Sequence, residues 1–427
     1  MLALILFGSM LGLMMLGVPI FFAIGLAGLI GALHIGAAAP LIIVPIGMFN
    51  GMDSFPLMAI PFFILAGELM NRGGISTRLV AFASAVVGHI SGGLGHANVV
   101  SNAMMASMSG SALANIAAVG RVLIEPMEKE GYKRDFATAI TVAASLLGPI
   151  IPPSITMVIY AITAGTSVGA MFLAGIVPGI IVAIGMMVVI WRHARKRNYP
   201  VHDRFSIRRV AVTAKDAAIS LMMPVIILGG IFGGVMTPTE SAAVAVVYAL
   251  IVGLVVFREL KLRDLGPILL NSGVVTSFIF LIVGAARVFS DLMTGEAVPQ
   301  EIASLILSIS DEPVLLLLLI NILLLFVGCM MDTTAAILIL VPVLLPVAIE
   351  IGVDPLLFGV MMSFNLVIGL ATPPVGVALF LGSDTGKVRI EALVARIWPF
   401  LLIYVAVLLL ITYVPIVSLG LPRLFGY

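Results

Sequence analysis

The stretch Gly148-Pro149-Ile150-Ile151-Pro152-Pro153-Ser154 constrains this chain more than any other. It lies inside a run from Phe136 to Ala164 that carries no charged residue. Such a run can cross a bilayer, for which about 20 apolar residues suffice. Adjacent prolines near its middle forbid a continuous helix. Each lacks an N–H and clashes with the preceding turn, and each pushes the residue before it out of the α region. The sequence therefore predicts a helix broken at mid-membrane. Irregular backbone survives at that depth only where protein buries it or where it lines a site.

The same device recurs as Gly369-Leu370-Ala371-Thr372-Pro373-Pro374, and its surroundings recur with it. Pro126 stands 27 residues before Pro153, and Pro346 stands 28 before Pro374. Gly131 follows the first upstream proline and Gly352 the second. Ser109-Gly110-Ser111 and Asp332-Thr333-Thr334 precede the two breaks by 37 and 36 residues, counted from Ser111 to Gly148 and from Thr333 to Gly369. Three landmarks in register predict a duplicated unit. Paired broken helices in two halves point to a secondary transporter and to its binding site.

Composition agrees. Of 427 residues, 61% are hydrophobic and only 10% charged, against about 25% charged in soluble domains. The fold class is therefore an all-α polytopic membrane protein. Met1-Leu2-Ala3-Leu4 has no basic residue and reads as the start of a first span rather than as a signal peptide. The single cysteine, Cys329, excludes an internal disulfide and a multi-cysteine metal cluster. A formal net charge of +1 offers no basic field for nucleic acid. The sequence has no GxxxxGK[ST] phosphate loop, and no organic cofactor is expected. Uphill movement would then need an ion gradient or a separate partner.

From Ser91 to Ala118 the chain is rich in Gly, Ser, Ala, Asn and Met and carries no Asp, Glu, Lys or Arg. That is too polar for lipid-facing spans but suits a hairpin buried in protein, where small residues let backbones approach. The expected organisation is a first repeat over residues 1–190, with scaffold helices, a re-entrant hairpin at about 91–120 and a broken helix at about 136–164. Arg121 to Asp135 reads as a mixed-charge surface segment. Residues 191–209 form a linker whose Arg192, Arg195, Lys196, Arg197, Arg204, Arg208 and Arg209 place it in the cytoplasm by the positive-inside rule. The second repeat, residues 210–427, has scaffold helices, a hairpin at about 314–346 and a broken helix at about 356–382. Lys129, Lys133 and Arg134 follow the first hairpin, whereas Glu350 and Asp354 follow the second, with no lysine or arginine from Ala348 to Pro355. That asymmetry favours inverted repeats over parallel ones.

Two tips meeting two breaks would gather helix ends near the midplane. N-terminal ends suit an anionic substrate, and C-terminal ends and unwound carbonyls suit a cation. The first candidate cation set is Ser109, Ser111 and Asn115 with the carbonyls of Gly148 and Ile151, beside Pro153. The second is Asp332, Thr333, Gly369 and Thr372, beside Pro374. Asp332 is a lone carboxylate in apolar surroundings, and such a group at membrane depth is costly and usually functional. It also suits the N-cap of the following helix. Asn98, Asn102 and Asn365 could line a substrate cavity or join helices. Arg287 could counter a substrate carboxylate or snorkel to the interface.

Gly51-Met52-Asp53-Ser54-Phe55-Pro56-Leu57-Met58-Ala59-Ile60-Pro61-Phe62-Phe63, Gly148 to Ser154, Thr237-Pro238-Thr239-Glu240 and Gly369 to Pro374 together resemble the large membrane subunit of tripartite ATP-independent periplasmic transporters. The resemblance covers essentially the whole chain. It implies a multi-pass protein of the bacterial inner membrane that forms the pathway of a three-part importer. The expected partners are a small four-helix membrane subunit and a periplasmic solute-binding protein. It further implies elevator movement of the hairpin-containing domain, coupling to two or more sodium ions held by the two residue sets just named, and an organic-anion solute bearing a carboxylate. Such solutes include C4-dicarboxylates, sialic acids and sugar acids. The chain looks like the form not fused to its small subunit. The competing reading is a stand-alone ion-coupled anion carrier or sodium/proton exchanger of related architecture. In neither reading is the protein an enzyme.

Overall fold

A computed structural model describes residues 1–36, 40–197, 199, 205–307 and 312–427. Residues 198 and 200–204 of the predicted linker lie outside it. The first ten helices are α1 Leu2–Met15, α2 Ile20–His34, α3 Pro40–Met52, α4 Ala59–Arg72, α5 Ile75–Val87, α6 Gly93–Ser109, α7 Ala112–Lys129, α8 Arg134–Ser145, α9 Ile155–Ala164 and α10 Val168–Arg197. The remainder are α11 Ile207–Phe232, α12 Pro238–Ile251, α13 Leu262–Gly295, α14 Val298–Leu307, α15 Pro313–Met330, α16 Thr333–Glu350, α17 Pro355–Gly369, α18 Val377–Gly386, α19 Ile390–Tyr413 and α20 Ile416–Leu424. Among the described residues, seven helices are long and apolar enough to cross a membrane. An eighth crossing is available if α3 and the stretch from Phe55 to Arg72, bent by 64° at Asp53-Ser54, form one span.

Local chemistry explains several boundaries. Gly110, at φ +59°, ends α6 in the left-handed region that glycine enters without a Cβ penalty. Ser111 then caps α7 by accepting from the Ala114 N–H. Thr237 and Glu240 form a reciprocal capping box at the start of α12, with Pro238 at the first helical position. Thr239 pins that start to the bend near Ser54 by donating to the Phe55 carbonyl at 3.3 Å. The returning arm of the first hairpin runs on to Lys129, so much of the expected surface segment from Arg121 is helix. Pro126 is accommodated inside it. The last span is likewise followed by one more short helix, α20, which packs back against α10.

Two helical paths form the centre. One is α8 followed by α9; the other is α17 followed by α18. The Arg134 Nε, at the start of α8, donates to the Gly386 carbonyl at the end of α18 at 2.6 Å. The Tyr160 hydroxyl on α9 donates to the Pro355 carbonyl at the start of α17 at 2.6 Å. The two paths therefore run antiparallel, side by side. Helix α19 locks onto α8 through Tyr404, which donates to the Ala143 carbonyl at 2.7 Å, and through the Arg396–Asp135 ion pair at 3.0 Å. Helices α3 and α13 pack along each other further out, with α2 beside them.

Candidate functional site

Between Ser145 and Ile155 the chain leaves helical form. Pro149, Pro152 and Pro153 bring no N–H groups, and the Pro152–Pro153 bond is cis. Ser154 rebuilds order on the far side. Its hydroxyl donates to the Pro149 carbonyl at 2.5 Å and accepts from the Met157 N–H at 3.2 Å, capping α9. The first hairpin tip lies against this break. A Cβ on Gly110 would come within 2.7 Å of the Pro153 carbonyl oxygen, and one on Gly148 within 2.8 Å of the Ser111 carbonyl oxygen. Glycine at both positions permits backbone-to-backbone contact, and Ser111, Gly148 and Pro153 come together there. Ser109 is buried at the tip, and its hydroxyl donates to Asn115 Oδ1 at 2.7 Å. Ile151 follows in the same turn and is half-buried.

The second break runs from Leu370 to Gly376, again with a cis bond, Pro373–Pro374. The backbone of Gly369 packs directly on that of Gly328 in the last turn of α15, too closely for any side chain on Gly369. This contact lies short of the second tip. Asp332 is the N-cap of α16, accepting from the Thr334 N–H at 2.8 Å, and its side chain is exposed rather than enclosed by protein. Thr333 is buried, and its hydroxyl has no partner among the described residues. Thr372 donates to the Ile368 carbonyl at 2.8 Å, while Pro373 and Pro374 are exposed.

The asparagines are fully buried between helices. Asn98 on α6 donates to Thr141 on α8 at 2.7 Å, and Asn102 donates to Asn98 Oδ1 at 2.8 Å. Asn115 donates to the Asn102 carbonyl at 3.3 Å, completing a ladder to Ser109. In the other half, Asn365 on α17 donates to Asn321 on α15 at 2.7 Å, and Asn321 donates to Thr412 on α19 at 3.2 Å. Both ladders join a hairpin to its neighbouring broken helix. Sequence reasoning missed Asn321 and Thr412. The available signal was Asn321 itself, a lone amide in the aliphatic run from Val314 to Phe326. Arg287 lies elsewhere, on α13 where it packs against Gly51 of α3, paired with Asp291 at 3.0 Å.

Long apolar helices around two interrupted helical paths and two helical hairpins make this an all-α polytopic membrane protein. Residues 7–417 match the tripartite ATP-independent periplasmic transporter, DctM component, and the chain belongs to that family. It is the large permease component, a multi-pass protein of the bacterial inner membrane. It is 45% identical to the uncharacterized protein YgiK of Salmonella typhimurium over 99% of this chain and 97% of that one. It is 39% identical to the C4-dicarboxylate TRAP transporter large permease protein DctM of Rhodobacter capsulatus, over 99% of each. It is 42% identical to the sialic acid TRAP transporter large permease protein SiaM of Vibrio cholerae, over 98% of each. Among solved structures, the YdaH transporter of Alcanivorax borkumensis shares the fold, with a TM-score of 0.64 at 15% identity over 88% of each chain.

Proposed function

We propose that this subunit forms the pathway of a three-part importer that uses a sodium gradient to move a carboxylate-bearing organic anion. Its partners are a small four-helix membrane subunit and a periplasmic solute-binding protein. The observation that carries the reading is the pair of antiparallel broken paths, each with a hairpin against it through glycine. Two inverted repeats would produce that arrangement, and helix breaks beside hairpins are where transporters of this kind hold ions and solute. Sodium sits at Ser109, Ser111, Gly148, Ile151 and Pro153, with Asn115 holding the Ser109 hydroxyl. A second ion sits at Asp332, Thr333, Gly369, Thr372 and Pro374. Hard cations take oxygen ligands, and an exposed carboxylate beside an unpartnered buried hydroxyl supports the second site. Asn98, Asn102 and Asn365 act as interhelical clasps instead of solute ligands, because their amide hydrogens are engaged within the protein. The hairpins and broken helices move together as an elevator against α3, α4 and α13.

The solutes for which two of these relatives are named, C4-dicarboxylates and sialic acid, share a carboxylate and support that solute class. The test is uptake into proteoliposomes holding the large and small subunits, with binding protein and sodium gradient varied separately. Uptake needing both supports the reading. Uptake without the binding protein favours the stand-alone carrier, and uptake that follows only a proton gradient replaces the coupling ion. An epitope inserted between Arg192 and Arg209 should be reachable only from the cytoplasm; a periplasmic result reverses the topology.

A further inference from the structure

Away from both breaks, a cavity of about 260 Å³ opens between α3 and α13 on one side and α9 and α16 on the other. Its polar lining is Asn50, Ser54, Thr163, Arg287 and Ser290, with apolar walls that include Pro342. Pro342 lies nine residues along α16 from Thr333. At 1.5 Å per residue it is roughly 14 Å from the second tip. In the topology given above, that direction is extracytoplasmic.

We infer that this cavity is an outer anion-binding station, where the solute's carboxylate is held by Arg287 before it reaches the breaks. The inference rests on the organic-anion reading above and extends it to a second place on the route. Three features support it. Arg287 and its partner are arranged so that both Asp291 oxygens approach Nε alone, at 3.0 and 3.1 Å. The two terminal nitrogens have no partner among the described residues, and they are the fork that pairs with a carboxylate in bidentate fashion. The position of the side chain is fixed from across the cavity wall: a Cβ on Gly51 would lie 2.6 Å from Arg287 Cβ, so only glycine lets the arginine stem lie against α3. The amide and three hydroxyls around the guanidinium are short side chains suited to the remaining polar groups of a small acid. The walls also belong to both the static and the moving helices of the proposed elevator, so occupancy would be sensed by both.

The test needs no sodium gradient and no binding protein. The full chain, carrying Cys329→Ser and Ser290→Cys, is treated in spheroplasts with two membrane-impermeant thiol reagents, sulfonatoethyl and trimethylammonioethyl methanethiosulfonate. The anionic reagent should react about tenfold faster relative to the cationic one than it does in the Arg287→Gln variant, because the guanidinium field favours one charge over the other. Arg287→Lys should restore most of the preference. Gly51→Ala, which keeps the charge but displaces the stem, should lose much of it. Succinate, as the carboxylate probe, should slow modification by uncharged methyl methanethiosulfonate in the parent and not in Arg287→Gln. A charge preference that Arg287→Gln leaves unchanged overturns the inference, as does succinate protection that is absent or survives that substitution. Failure of sodium-dependent uptake with these results intact would overturn the coupling scheme and leave the station standing.

Discussion

The two helix breaks are built from the same proline pair and behave as different objects. The first is closed: Ile150 and Ser154 have no exposed surface, and Ser154 ties the loop to itself on both sides. The second is open. Val375 stands where Ser154 does, Pro373 and Pro374 are exposed, and α18 begins at Val377 behind Gly376 with no side-chain cap. The tips differ in the same sense. Ser109 gives its hydroxyl hydrogen to Asn115, whereas the Thr333 hydroxyl has no partner among the described residues and Asp332 keeps an exposed charge. A neutral, self-satisfied site can hold its shape alone. A charged, under-satisfied one gains most from a cation, since the ion compensates a carboxylate that hydrocarbon would penalise.

The sharpest way to break this comparison is at Asp332. Asp332→Ala should abolish sodium-dependent uptake while leaving the protein in the membrane. Asp332→Asn keeps an N-cap residue of equal quality, yet should raise the sodium concentration for half-maximal uptake by about tenfold or more, because ligand charge sets cation affinity. Normal uptake by both variants would make the second site no more charge-dependent than the first. Next come the close glycines. Gly369→Ala should lower stability by about 2–3 kcal/mol and Gly148→Ala by about 1–2, both through overpacking against backbone. Thermal unfolding in detergent reads the difference, and a reversed order would mean that the open break yields more easily than its contact suggests. Ser154→Ala should cost about 1 kcal/mol as a lost cap, while Val375→Ala, with no cap to lose, should leave the thermal midpoint nearly unchanged. A modest effect is expected at Ser109→Ala, where the sodium requirement should rise by about threefold, the value of one neutral hydrogen bond. No shift in sodium dependence there would leave the carbonyls as the working ligands of the first site.

Much of this was legible in the chain. The paired prolines at 152–153 and 373–374 dictated where those two paths break, because two missing N–H groups and two ring clashes fall together, whereas single prolines such as Pro126 and Pro346 are absorbed within helices. Gly110 and Ser111 announced the first tip for a similarly local reason. What could not be read were relations between distant segments. Nothing near Asn98 shows that Thr141 will meet it, and the Asn321–Asn365 bond joins helices 44 residues apart. The exposure of Asp332 was equally hidden: its apolar neighbours in sequence suggested enclosure, but as the N-cap of α16 its carboxylate stays on the outside of the protein. The hairpin's extension to Lys129 was obscured by charges that decorate a helix surface as readily as a loop.

The antiparallel pairing of the two broken paths has a further consequence. Arg134 is fastened to the end of α18 and Tyr160 to the start of α17, so each path is held by the other at both extremities. If one break shifted, these ties would pass the strain to its companion. In a gradient-driven machine, that mechanical linkage would suppress slippage, the wasteful crossing with a partly filled ion complement, and keep a fixed exchange rate between ions spent and solute gained.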